Sequence, residues 1–174
     1  MDRPSFIVEP LAGYPGQIAE ALWQLEDTRT RTLDQLGSID PGMVDVAPAG
    51  STNTIGALLY HIAAIELDWL YTEILESDDY PPDIAALFPD DVRDDEGALV
   101  RAAGEPIESH LGRLAVVRSH FLQKMQDIDQ SEYTRVRSLE SYDVTPAWAI
   151  HHLCQHEAEH RGQMTELATR LSST

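Results

Sequence analysis

The chain has 174 residues, 43% of them hydrophobic, enough apolar material for one globular domain over residues 1–174, which excludes a disordered protein. With 30 acidic side chains against 12 basic ones, the formal net charge is -18, a surface that repels nucleic acid and anionic membranes. Cys154 is the single cysteine, so no intrachain disulfide forms, and no apolar run reaches signal-peptide or membrane-span length; a soluble cytoplasmic protein is the expectation.

Four long amphipathic helices are predicted. The first runs from Pro15 to Leu36, where Ile18, Leu22, Leu25, Thr32 and Leu36 keep a three–four spacing and Arg29 interrupts the row. Pro15 suits its first position and Gly37 its stop, and a loop follows through Asp40-Pro41-Gly42 and Pro48-Ala49-Gly50. The second runs from Thr54 to Leu75, with Asn53 as N-cap and Leu58, His61, Ile62, Ile65, Trp69 and Thr72 facing inward; Pro81-Pro82 forbids its continuation. A long acidic connection, Ser77 to Glu105, has room for short helical turns at Ile84–Phe88 and Glu96–Ala103.

The third helix runs from Pro106 to Asp127 on Ile107, Leu111, Leu114, Phe121, Met125 and Ile128. Asp129 to Asp143 is polar, with alternation too weak to define a strand. The fourth starts at Thr145-Pro146, an N-cap followed by a first-position proline, and runs to Leu171 with Leu153, His156, His160, Met164, Leu167 and Leu171 inward. The fold class expected is all-α: a four-helix bundle with a long crossover between helices 2 and 3.

Four of the seven histidines, His151, His152, His156 and His160, lie in one ten-residue stretch of the fourth helix. A four-residue step turns a helical side chain by only about 40°, so His156 and His160 lie on one face within reach of one ion. His152 extends the row by a turn, where it lines a pocket mouth, orients a ligand or is solvated. His61 sits on the apolar face of the second helix among Leu58, Ile65 and Trp69. A buried neutral imidazole needs a partner for each nitrogen; a metal ion supplies one, and a carboxylate or carbonyl on the next helix is the alternative.

Ser51 to Trp69, Trp148 to Gln163 and the run Trp23-Gln-Leu-Glu-Asp-Thr-Arg together resemble the DinB-like superfamily of metal-binding four-helix bundles, His156-x-x-x-His160-Arg-Gly-Gln being the most specific part. The likeness spans nearly the whole chain and is weakest at Asp78–Glu105 and Asp129–Asp143. It implies a divalent metal, zinc or nickel with iron as a further option, held by His61, His156 and His160. It also implies homodimers and relatives that include small-thiol S-transferases and a thiol-dependent isomerase.

The remaining candidates have plainer expectations. His151 is expected at the surface, and His110 and His120 lack partners at ligand spacing. Glu157 and Glu159 are expected as helix surface charges, or as groups that fix a ligand's tautomer. Arg161 faces away from His160, Gln163 hydrogen-bonds near the pocket, and Cys154 is poorly placed as nucleophile or ligand. Trp23, Trp69 and Trp148 are core or pocket wall. A tris-imidazole centre with an open position suits a transferase that presents a small thiol as thiolate to a small-molecule substrate. The alternatives are metal-assisted hydrolysis, for which Glu66 or Glu157 is the best available base, and a non-catalytic bundle that binds a metal or small ligand.

Overall fold

The computed structural model describes residues 3, 5–93, 99–100 and 104–173. Its elements are α1 (Gly16–Leu36), α2 (Ile55–Trp69), α3 (Pro82–Ala85), α4 (Ile107–Met125), α5 (Gln130–Thr134), a two-stranded hairpin of β1 (Arg137–Ser138) and β2 (Asp143–Val144), and α6 (Pro146–Ser172). The bundle helices are α1, α2, α4 and α6. The expected turn at residues 96–103 falls mostly outside the described residues; where the segment is described, Leu99 bridges Arg93.

Contacts between named residues fix the helix directions. Along α1 and α6, Arg29 meets Glu157 and Gln35 meets Arg161, so these two run parallel. Along α2 and α4, Glu66 meets Arg118 and Tyr71 meets His120, so they too run parallel. Between α2 and α6 the order reverses, with His61 against His156 and Trp69 against His152. Parallel neighbours need a long return, and the connection through α3 provides the expected crossover.

Local chemistry sets the helix ends. The Thr145 hydroxyl accepts from the Trp148 N–H at 3.2 Å and Pro146 opens α6, as the sequence pair predicts. The α2 cap is Thr54 rather than Asn53: its hydroxyl accepts from the Ala57 N–H at 3.1 Å. Pro15 likewise sits one residue outside α1. The second helix continues past Trp69 as a wider π-type coil, Leu70–Leu75, ended by Glu76 at φ 53. The wider turn shifts the buried face, so Tyr71, Glu73 and Ile74 point inward and Thr72 is only half-buried. The segment after α4 is a short helix capped by the Asp129 carboxylate, then the hairpin.

The bundle interior holds an ion-pair quartet that the sequence reading did not anticipate. Glu157, expected at the surface, is 2% exposed. It accepts from Arg29 Nε at 2.8 Å and Arg118 Nη2 at 3.3 Å. Glu66 accepts from Arg29 Nη2 at 2.7 Å and from Arg118 Nε at 2.6 Å. The guanidinium hydrogens left over go to the Leu114 carbonyl from Arg29 and to the Leu25 carbonyl from Arg118, and Arg118 Nη1 also pairs with the partly exposed Glu26 carboxylate at 2.8 Å. Burial alone raises a carboxyl's pKa, but Arg118 and Arg29 hold Glu66 below its ordinary value. Each bundle helix contributes one member: Arg29 from α1, Glu66 from α2, Arg118 from α4 and Glu157 from α6.

Removing one partner of a buried pair leaves its counter-charge stranded, which costs about 3–5 kcal/mol. Glu157→Ala is therefore expected to lower the urea-unfolding free energy by about that amount, while Glu159→Ala, at an exposed position two residues away, stays within about 0.5 kcal/mol of the parent.

Candidate metal centre

His61 projects from the middle of α2, and His156 and His160 from successive turns of α6. His156 Nε2 lies 3.0 Å from His61 Nε2 and 3.0 Å from His160 Nε2. One nitrogen atom from each of the three rings lies within 4.8 Å of the other two. His61 is buried, and the other two rings are half-buried.

An imidazole nitrogen carries either one proton or one lone pair, so His156 Nε2 fully serves only one of its two 3.0 Å contacts. A cation serves all three nitrogens at once. Tetrahedral metal–nitrogen bonds of about 2.0–2.1 Å place neighbouring nitrogens about 3.3 Å apart. The two 3.0 Å contacts lie close to that spacing and all three donors lie within 4.8 Å of one another, so a small rearrangement lets the donor set fit one metal ion.

The electrostatics favour ligating forms of the rings. Burial, then the neighbouring His160 and Arg93, lowers His61 to about 4. Burial, then His160, His61, His152 and Arg93, lowers His156 to about 3. Both rings are neutral at pH 7, with lone pairs available. Gln163 Oε1 lies 3.0 Å from His160 Nδ1. Accepting the Nδ1–H leaves the Nε2 lone pair facing the cluster, the near-pocket role expected of this glutamine. His61 Nδ1 is buried without a partner.

The other candidates separate from this cluster. His151 is exposed. His152 stands apart from the three, stacked on Trp69 at a centroid distance of 4.2 Å and 29°. His120 Nε2 meets the Tyr71 hydroxyl at 2.9 Å, and His110 is fully buried beside Arg113. Burial pushes the Cys154 thiol up to about 11, in keeping with a poor nucleophile. Arg161 donates to the Thr28 carbonyl on α1. Glu66 and Glu157, the two carboxylates with a claim to be a general base, are both tied up in the arginine quartet.

Two cavities flank this region. One of about 540 Å3 is lined by Ala64 and Ile65, one turn along α2 from His61, and by Asp68, Tyr80, Phe88 and Arg93. Arg93 had no signal in the sequence, since it lies in the irregular crossover. The other, of about 530 Å3, is lined by Trp69, Trp148, Tyr142 and Val144. Beside it, the Tyr142 hydroxyl donates to Glu73 Oε1 at 2.6 Å, while Glu73 Oε2 is buried without a partner.

Burial pushes the Glu73 carboxyl up to about 7 from 4.5, the Tyr142 hydrogen bond opposing it. The folded protein thus keeps a proton that the unfolded chain releases. The stability this gives is complete below about pH 4.5 and is lost as pH rises through about 7. Glu73→Gln is expected to remove this slope, so that its melting temperature gains on the parent's between about pH 5 and about pH 8. Parallel melting curves over that range rule the assignment out.

A family profile described as the DinB superfamily matches residues 24–164. No curated protein matches the sequence. Among solved structures, a conserved protein from Enterococcus faecalis superposes with a TM-score of 0.69 at 17% identity, covering 92% of this chain and 99% of its own. An uncharacterised protein from Escherichia coli UTI89 gives 0.57 at 13% identity, over 91% of this chain and 96% of its own. At these identities the likeness speaks to the fold. Among the described residues, no helix is long and apolar enough to cross a membrane.

Proposed function

This chain belongs to the DinB superfamily, and from that premise and the three converging imidazoles we propose that it holds one divalent metal ion, zinc or nickel before iron, and catalyses S-transfer from a low-molecular-weight thiol. The observation that carries the metal is the convergence of three imidazoles, with His156 Nε2 3.0 Å from the Nε2 of both His61 and His160 and two of the rings held neutral chiefly by burial. Imidazole donors suit each of these metals, so supply contributes to the choice. Bound there, such an ion would supply a Lewis acid that lowers the pKa of a thiol enough for it to be thiolate at neutral pH.

The residues of the chain do the rest. His61, His156 and His160 hold the ion, and Gln163 fixes the tautomer of His160. The cavity with Arg93 and Tyr80 seats the polar body of the thiol next to the open side. Arg93 already influences His61 and His156 electrostatically, and its charge favours an anionic sulfur in the same place. Hydrolysis is the weaker reading: metal-bound water also ionises near neutral pH, but Glu66 and Glu157, engaged by Arg29 and Arg118, are not free to pass a proton to the leaving group.

Elemental analysis of purified protein tests the first half. His61→Ala, His156→Ala and His160→Ala are each expected to lose stoichiometric metal, and His151→Ala to keep it; full metal in all three triad variants ends the proposal. Gln163→Ala is expected to weaken metal affinity by about tenfold or more without abolishing it. Consumption of free thiol from a panel of small thiols, in the presence of an electrophile and dependent on metal, tests the second half. Ester or amide turnover without thiol would instead establish the hydrolase.

A further inference from the structure

Along α6 the positions 148, 152, 156 and 160 form one row, and its first half is a ring stack rather than a ligand set. The Trp148 and His152 rings lie 5.2 Å apart and within 5° of parallel. Trp69 stacks on His152 from α2 at 4.2 Å and also meets Trp148 at 5.5 Å. His152 in turn lies 5.7 Å from His156. These rings make an aromatic shelf that starts at the histidine cluster and ends in the cavity of about 530 Å3.

The rim of that cavity carries three of the chain's exposed large apolar side chains: Val136 at 56%, Tyr142 at 46% and Trp148 at 50%. Apolar groups gathered at one concavity mark a binding site, and this volume lies in the usual range for small-molecule pockets. We propose that this cavity is the binding site for a neutral, planar aromatic electrophile, stacked on the Trp69 and Trp148 rings that line it, at the end of the ring row that leads through His152 to His156; the identity of the ligand as a co-substrate rests on the S-transfer reading above.

Three observations select that occupant. Flat ring faces recognise flat ligands. Asp143 in the lining and the net charge of -18 disfavour an anion. Three rim side chains also offer far less area than the roughly 800 Å2 per partner of a standard protein interface, which argues against a second copy as the occupant. With chlorodinitrobenzene as the electrophile, the thiolate sulfur attacks the ring carbon that bears chlorine. The C–S bond forms, the C–Cl bond breaks, chloride leaves with the electron pair, and the thiol proton passes to solvent.

Binding is read separately from turnover. A fluorescence titration of metal-stripped protein with N-phenylnaphthylamine, a neutral aromatic probe, is expected to show saturable binding that Trp148→Ala and Val136→Asp each weaken by about tenfold. Both substitutions are at half-exposed positions, and circular dichroism checks that the fold is kept. Absence of probe binding to the parent, or equal binding to the variants, overturns the proposal, as does a parent dimer that Trp148→Ala converts to monomer without any probe binding. In turnover, Trp148→Ala is expected to lower the rate with chlorodinitrobenzene relative to that with iodoacetamide by about fivefold; an unchanged ratio overturns the co-substrate role. If neither electrophile is consumed with any thiol, the S-transfer reading fails, and the probe titration still decides whether the cavity binds aromatic rings.

Discussion

The arginine–glutamate quartet is the constraint on which the rest of the bundle depends. Four charged side chains at the centre of a bundle are tolerable only when each is paired and every remaining donor or acceptor is satisfied. Here two guanidinium groups face two buried carboxylates, and the surplus N–H groups reach the Leu25 and Leu114 carbonyls and the Glu26 carboxylate at the edge. Apolar packing alone accepts small rotations and slides of one helix on another. A planar guanidinium between two carboxylates is less tolerant, because a one-turn slip strands a charge. The quartet therefore sets the relative height and rotation of α2 and α6.

That setting is what the histidine cluster requires. Glu157 follows His156 directly in sequence, and Glu66 lies five residues beyond His61 on α2. When Arg29 and Arg118 clamp the two glutamates, the rings on the adjoining faces of the same helices come within 3.0 Å of each other. The cost is that both carboxylates are used up as structure. Neither glutamate is then free to act as a general base at the cluster.

The helices of the fold and the His156–His160 pair were legible in the sequence because both depend on local spacing. The i, i+4 pair His156 and His160 needs only the pitch of a helix, and Thr145-Pro146 marks a helix start wherever it falls. The meeting of His61 with that pair needs tertiary packing, and the resemblance supplied what periodicity left open. The quartet was missed, although it left a trace. Arg29 breaks an apolar row in the first helix; Glu66, Arg118 and Glu157 do likewise in the other three. Each interruption alone looks like a solvated charge, and only their balance in sign across the helices points to the interior. The wider coil at Leu70–Leu75 and the hairpin at Arg137–Val144 had no periodic signal, since one departs from the 3.6-residue repeat and the other has strands of two residues.

The strong negative charge of the chain and the positive character proposed for its site are compatible because they act over different distances. A net charge of -18 raises the concentration of divalent cations near the surface, which helps load a metal. It also opposes an anionic thiol, but at physiological ionic strength the field of distant carboxylates decays over about 8 Å. Inside the cavity the nearest charges decide. Arg29 and Arg118 are matched by Glu66 and Glu157, with Glu26 also paired to Arg118, so the charges closest to the cluster are Arg93 and the Asp68 that shares its cavity. On the proposed reading, an acidic exterior would gather the metal from solution while Arg93 offsets the repulsion of a thiolate at short range, and the rings of Trp69 and Trp148 add a surface whose attraction for a neutral ring does not depend on charge.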